Sequence, residues 1–544
     1  MTETLMTAPA RRRGVPPAEE CVIGRVLERR AQAHPDRAFA RFADGASWSY
    51  RDAWDHARSA AVGLRELGVV PGDAVASWLP NGPEALAVWF GTNLNGGVHV
   101  PMNTAYRGSL LAHALRLSGA RVLVVHAELA DRLERVDLAA VEHVVVVRGD
   151  APAAELPVRV HGAGVLSRSS AETASYVPAE VQPWDTQSIL LTSGTTGASK
   201  GAMISYAASH ASATAGLDGI LDHDDRYLLN LPLFHAGGTL AAVAMLSLGG
   251  SVAVVQGFST EEFWGVVRDN GVTVCTLLSV MMPFLTQQPP GPQDRDHPLR
   301  TVLCVPLPDD VAGFAERFGV AVHTVYNSTE TSTPIISPAN PANTRSCGRL
   351  RPGVEARIVD SHDQEVAEGE VGELVLRTEP WGMSHGYHAM PEATATTWRH
   401  GWFHTGDAFR RDSAGDYYFV DRIKDAIRRR GENISSVELE GEIRAFPAVG
   451  EAAVVAVPSP QGEDDVLAVV VPAPGAVVDP VALTEFLVER VPYYMVPRYL
   501  RTLTQLPLTP TGKVRKFVLR DEGVTADTWD REAAGVRVRR ERLS

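Results

Sequence analysis

The spacing of apolar and polar positions changes repeatedly along this chain. Over Val22–Ala33 and Tyr50–Leu67 the apolar side chains recur three and four residues apart, which predicts two amphipathic helices. Asp73–Trp78 and Val122–His126 are short apolar runs that predict buried strands. Gly68-Val69-Val70-Pro71-Gly72-Asp73 separates a helix from a strand, and its Gly and Pro residues mark it as a turn. The alternation continues through strand candidates at Val144–Val147, Ser251–Val255, Val272–Thr276 and Ala321–Val325. Strands regularly interleaved with helices predict α/β layers with substantial parallel sheet.

Further along, the pattern turns β-rich, with strand candidates at Glu373–Arg377 and Tyr417–Val420. Beyond Asp421 it predicts a helix over Val437–Arg444, strands over Glu451–Val457 and Val466–Val471, and a helix over Pro480–Arg490. The expected architecture is α/β: a large N-terminal domain of α/β layers with a β-rich subdomain, plus a small mobile α+β C-terminal domain. The expected boundaries are 1–20 for an unstructured Thr/Ala/Arg/Pro-rich start, 21–420 for the large domain, 421–424 for a hinge, 425–524 for the small domain and 525–544 for a tail. The most apolar window, Leu240–Val255, is divided by Gly249-Gly250, which suits a buried helix followed by a strand better than a membrane span.

Composition narrows the function classes. The 544 residues exceed one ordinary domain, and 45% apolar with 21% charged residues is normal for a folded soluble chain. A net charge of −14 disfavours nucleic acid and anionic membrane as partners. Cys21, Cys275, Cys304 and Cys347 show no metal-ligand spacing, so reduced thiols and a cytoplasmic setting are expected. No apolar stretch follows Arg11-Arg12-Arg13, so no signal peptide is expected. There are only four lysines against 47 arginines: Lys200, Lys424, Lys513 and Lys516. Such a bias keeps lysine where a compact point charge on a flexible stem serves better than a planar fork.

The segment Leu191-Thr-Ser-Gly-Thr-Thr-Gly-Ala-Ser-Lys-Gly201 concentrates glycines, hydroxyls and one lysine. Glycines let backbone approach an anion, N–H and hydroxyl groups donate to phosphate oxygens, and the lysine adds charge. It lacks the spacing of the NTPase P-loop. It resembles instead the phosphate loop of the adenylate-forming superfamily, whose pattern is TSGTTGxPKG, and matches it from Thr192 to Gly201 except at Ser199, where the family has Pro.

Other motifs of that family follow in order, so that the resemblance covers about residues 24–520. The resemblance implies an AMP-forming acyl-CoA synthetase that uses ATP, Mg²⁺ and coenzyme A. It places Thr192, Ser193, Gly194, Thr195, Thr196, Gly197 and Lys200 on the phosphates. Leu231–Gly237 resembles the segment lining the acyl pocket, with His235 as its gate. Tyr326, Asn327, Ser328, Thr329 and Glu330 resemble YGxTE, in which Thr and Glu serve the phosphates and Mg²⁺. Asp407, in Gly401–Asp407, matches the aspartate that accepts the ribose hydroxyls. Asp421–Ile434 resembles the hinge motif, with Arg422 and Gly431 beside the nucleotide and Lys424 at the pivot. Pro507–Lys513 resembles the C-terminal motif, whose lysine, here Lys513, reaches the carboxylate and α-phosphate. The catalytic set implied is Lys513, Thr192, His235 and Glu330. Taken alone, Asp407 reads as a turn aspartate, Glu330 as a solvated acid and His235 as a core histidine; order and spacing together carry the assignment. Arg428-Arg429-Arg430 reads equally as a solvated end or as a patch for the CoA pyrophosphate.

Departures from the family pattern are Ser199, Asn327 in place of Gly, and Leu303-Cys304-Val305-Pro306-Leu307 where the family has Gly-Gly-Ala-Pro. They raise the alternatives of an enzyme that mainly thioesterifies a supplied acyl-AMP, or a weakly catalytic acyl-adenylate-binding protein. An amino-acid adenylation domain is disfavoured, because His235 stands where that group has Asp and no carrier-protein domain follows. The expected pocket wall is Asn230, Leu233, His235, Ala236, Gly237, Thr276, Ser279, Val305 and Thr324, which favours a hydrophobic acid. The expected partners are that acid, ATP and CoA, with a homodimer left open.

Overall fold

The computed structural model describes residues 14–538 except 151–154, 193–198, 280, 309, 423–425, 431, 461, 508–513 and 515. Among these, the two seven-stranded sheets form the centre of the large domain. The first runs Ala321–His323, Thr301–Val305, Val274–Leu278, Arg226–Leu229, Ser251–Val254, Ala38–Phe42, Ser47–Ser49; every pair is parallel but the last. The second runs Arg159–Gly162, His143–Val147, Val122–His126, Ala74–Trp78, Val98–Pro101, Thr186–Thr192, Lys200–Ser205, and ends in an antiparallel hairpin.

Helices pack between and around these sheets as the spacing predicts. The Tyr50–Glu66 helix buries Tyr50, Ala53, Ala57, Ala60, Ala61 and Leu64, one stripe at three- and four-residue intervals. It begins at a capping box: Ser49 and Asp52 exchange hydrogen bonds, with Ser49 N donating to Asp52 Oδ2 at 2.8 Å. The Ala236–Leu248 helix is buried almost all round, which explains its uniform hydrophobicity. It ends at Gly249, in the left-handed region at φ +89°, and the Ser251–Val254 strand follows, as the Gly-Gly break predicts. A short helix at Ala18–Cys21 overlaps the end of the stretch expected to be unstructured.

The β-rich part holds a five-stranded sheet of Glu355–Val359, Gly372–Arg377, Trp402–Arg411, Trp398–Arg399 and Tyr417–Arg422. The chain then forms a hairpin, Ala426–Arg429 with Glu432–Ser435, and a four-stranded sheet of Val449–Pro458, Asp464–Pro472, Tyr499–Thr502 and Trp529–Asp530. Residues of this last sheet alternate between two cores. Val454, Val466, Ala468 and Val470 face the Ser436–Arg444 and Pro480–Val488 helices, in a core that also takes Leu110 of the large domain. Ala453, Val455, Leu467 and Val469 face the other way, with Leu506, Val514 and Leu519. The residues on either side of 508–513 therefore pack on the sheet face turned away from the large domain. The 525–538 stretch, expected as a tail, instead adds the Trp529–Asp530 edge strand.

Candidate active site

In the first sheet the parallel strands end together at Leu229, Leu278, Val305 and His323. Expected pocket residues Asn230, Ser279, Val305 and Thr324 stand at those carboxyl ends, where open α/β sheets carry their ligands. In the second sheet, Thr192 and Lys200 are registered partners of the Thr186–Ser205 hairpin. Thr192 Oγ1 donates to the Lys200 carbonyl at 3.4 Å. Ser193–Gly197 lie outside the described residues, as do Lys424, Gly431 and Lys513.

The hairpin's outer strand is held by a segment that the sequence reading did not single out. Met203 N donates to Gly386 O, His385 N to Met203 O and His388 N to Gly201 O, at 2.8–2.9 Å. This backbone lacing sets Tyr387 between two expected site residues. Its hydroxyl donates to Glu330 Oε1 at 2.7 Å, and Lys200 Nζ sits 4.5 Å from its ring centroid. Tyr387 thus links the loop lysine to the acid of the Tyr326–Glu330 motif. The sequence signal was slight: one aromatic after Gly386 in an irregular stretch.

Tyr326 and Asp407 meet across the β-rich part. Tyr326 OH donates to Asp407 Oδ2 at 2.7 Å, and its ring packs edge-on against Phe409. Asp407 is buried and is the registered partner of Arg422 on the neighbouring strand. Asn327, which replaces a family glycine, turns its side chain into its own loop: Oδ1 accepts from Thr331 Oγ1 at 3.2 Å and Thr333 N at 3.0 Å. Cys304 is fully buried in the outer layer with Cys275, Val302 and Phe314. Asn327 Oδ1 is thus occupied within its own loop, and Cys304 is packed in the core.

His235 precedes the Ala236–Leu248 helix. The helix start tucks so tightly beneath Pro232 that a Cβ on Gly238 would lie 2.2 Å from the Pro232 carbonyl oxygen. The His235 Nε2 is 2.7 Å from Glu432 Oε2 of the small domain, so the imidazole touches both domains. Burial works against protonation of His235, but the Glu432 charge and hydrogen bond outweigh it and hold the imidazole above its ordinary value of 6.5. Glu432 was another residue that the sequence reading passed over.

Two cavities are lined by the chain neighbours of this histidine. Ala236 borders a small one of about 30 Å³, whose wall includes Ser209, Ser212, Leu240, Thr331 and Met383. Phe234 borders a large one of about 750 Å³ between the domains, bounded by Asn103, Asn230, Glu432, Tyr493 and Tyr494. Asn230, expected in the acyl pocket, lines the large cavity. It is buried, and Nδ2 donates to Thr276 O at 2.9 Å while Oδ1 has no hydrogen-bond partner among the described residues. The three adjacent arginines divide. Arg429 is buried, donating to Tyr494 O and Val496 O and pairing with Asp465, and is structural. Arg430 is exposed beside the Tyr493 ring at the cavity rim.

The family model described as AMP-binding enzyme matches residues 27–388, and that described as AMP-binding enzyme C-terminal domain matches 438–513. The chain is 33% identical over 465 residues to a crotonobetaine/carnitine–CoA ligase of Escherichia fergusonii, covering 84% of this chain and 89% of that one. It is 32% identical over 483 residues to the protein of that name from Salmonella paratyphi A, covering 86% and 92%. Among solved structures, the amide bond synthetase McbA of Marinactinospora thermotolerans is 27% identical, with a TM-score of 0.78 over 91% of this chain and 99% of that one. The o-succinylbenzoate CoA synthetase of Bacillus subtilis shares the fold at 23% identity and a TM-score of 0.76, over 91% and 98%. With the motifs in family order and both domain models matched, the chain belongs to the AMP-binding enzymes of the adenylate-forming superfamily.

Proposed function

We propose that this protein is an AMP-forming acyl-CoA ligase that performs both half-reactions on a short, uncharged carboxylic acid. The observation that carries the reading is a pair of cavities lined by the two neighbours of His235: one at Ala236 beside the Asn327–Glu330 loop, and one at Phe234 between the domains. In the first half-reaction the acid's carboxylate attacks the α-phosphorus of ATP and pyrophosphate leaves. Thr192–Gly197 and Lys200 hold the phosphates, and Asp407, positioned by Tyr326, takes the ribose. Mg²⁺ supplies charge neutralisation on the phosphate oxygens, and Glu330 suits it, since this ion is commonly held by one or two carboxylates plus substrate phosphates.

In the second half-reaction the CoA thiol attacks the acyl carbonyl and AMP leaves. A cavity of about 750 Å³ bordered by Phe234 and Glu432 has room for a long, thin thiol arm. That favours a thiol over a small amine as the acceptor, in line with the names of the CoA-ligase relatives. Lys513 is assigned to the first step. The described residues flanking it pack on the sheet face turned away from the large domain, which supports a rotation of the small domain about Lys424 between steps.

The small cavity mixes apolar with hydroxyl-bearing side chains, and among the described residues its wall includes no aromatic ring and no carboxylate besides Glu330. A quaternary ammonium is recognised by an aromatic cage, so the relatives' charged substrates are not the expected ones here. The test is a panel of acids incubated with ATP, Mg²⁺ and CoA, with acyl-CoA and AMP measured by mass spectrometry. Short uncharged acids should give both products. Preference for long-chain or cationic acids would overturn the substrate class, and AMP without thioester would overturn the two-step reading.

A further inference from the structure

Ser199, which stands where the family pattern has proline, makes a contact that proline cannot make. Its backbone N–H donates to Glu438 Oε1 at 2.5 Å, and its hydroxyl donates to the same oxygen at 3.2 Å. Glu438 lies in the first turn of the Ser436–Arg444 helix of the small domain. Proline has neither an N–H nor a hydroxyl, so both donors exist only because of this substitution. Ser199 is itself buried and clamped from the other side, because its carbonyl oxygen lies 3.0 Å from His113 Nε2. A carbonyl can only accept, so that nitrogen carries the proton.

We propose that Ser199 and Glu438 form an interdomain latch that holds the small domain over the large cavity, favouring the second half-reaction. Ser199 is a positioning residue in this account: it touches the docked domain, not the reacting atoms. The inference rests on the two-step reading above. Other contacts join the same two surfaces. Asn103 Nδ2 donates to Tyr494 OH at 3.0 Å, and Ser109 bonds Glu442, which also accepts from Arg490 Nε at 2.8 Å. Ser199 differs from these in belonging to the phosphate-loop segment, so its latch ties the end of that loop to domain orientation.

The latch is also proton-linked. Burial pushes the Glu438 carboxyl up to about 7; the two Ser199 bonds pull it back, and the neighbouring Glu442 adds to the rise. The groups around it are Tyr106 and His113 of the large domain and Glu432, Glu442 and Tyr494 of the small one. Oε1 can accept from Ser199 whether or not Oε2 is protonated. Undocking returns Glu438 to water and to its ordinary value of 4.5. The docked value is the raised one. Its contribution to docking is therefore complete below the ordinary carboxylate value and is lost as pH rises through about 7.

The experiment uses the full chain with S199P, E438A and E438Q. Hydrogen exchange over 432–444 reads docking without any ligand. The ratio of thioester formation from supplied acyl-adenylate to ATP–pyrophosphate exchange reads its consequence. S199P and E438A should speed exchange and lower the ratio, each about tenfold. E438Q, which keeps an acceptor oxygen and cannot ionise, should retain the ratio and shrink the change in exchange protection between pH 5 and 8 to the share that His235 carries. Unchanged exchange in S199P, or an equal loss in E438Q, would overturn the latch. If E438A fails to fold, S199P decides alone, since proline is the family's own residue there. A wild type that makes no thioester defeats the ligase reading, while the exchange measurement still judges the latch.

Discussion

Replacing Tyr387 by phenylalanine removes one hydroxyl and leaves the ring. The hydroxyl donates to Glu330 Oε1 at 2.7 Å, and the ring carries Lys200 Nζ at 4.5 Å and meets Trp398 edge-on at 5.6 Å. A hydrogen bond to a charged group contributes about 1.5–3 kcal/mol. Glu330 is only partly buried, so water replaces part of the loss and the lower end of that range applies. The expected result is about a tenfold fall in ATP–pyrophosphate exchange. Thioester formation from supplied acyl-adenylate should be spared. The melting temperature should hardly move, since the buried ring stays in its cluster with Leu190, Ala202 and Ile204. Tyr387→Ala would confound the test, because deleting a buried aromatic costs about 3–5 kcal/mol of stability. Exchange within twofold of wild type in Y387F would refute the reasoning that Tyr387 orients Glu330 for the first step.

Two further perturbations test the domain contacts. The His235 imidazole is held above 6.5 by Glu432 against burial, so its share of docking is present below that value and fades as pH rises through the raised one. In E432Q only burial should remain as the larger influence, and the His235 midpoint followed by NMR should fall; an unchanged or higher midpoint would remove Glu432 as the cause. Lys424→Pro should fix φ near −65° at the proposed pivot and depress thioester formation far more than adenylate formation. Equal loss of both would take the hinge role from this position.

Much of the fold was legible because buried strands and amphipathic helices repeat with distinct periods. Tyr50–Glu66 and the Gly249-Gly250 break show this directly. The family motifs were legible for a different reason. Loop chemistry such as Thr192–Lys200 is local in sequence, so its residue types and spacing survive as a pattern. Contacts between distant segments left no such trace. Tyr387 lies 57 residues from Glu330, and Glu432 lies 197 from His235. The surroundings of the departures were hidden for a related reason. Asn327 and Cys304 change side-chain volume in the sequence, and only the structure shows that volume turned into the loop or the outer core. Ser199, by contrast, was visible as an exception, but its partner was not.

The central claim is that one chain separates two half-reactions between two uses of its small domain, with Lys513 serving only the first. Lys513→Ala, assayed in both half-reactions side by side, tests it most directly. Loss of a positioned charge at a developing negative centre costs on the order of 100- to 1,000-fold. Adenylate formation from acid and ATP should therefore fall by at least that much, while CoA attack on supplied acyl-adenylate continues near the wild-type rate. Equal rates of adenylate formation in mutant and wild type, or parallel loss of both steps, would contradict the account.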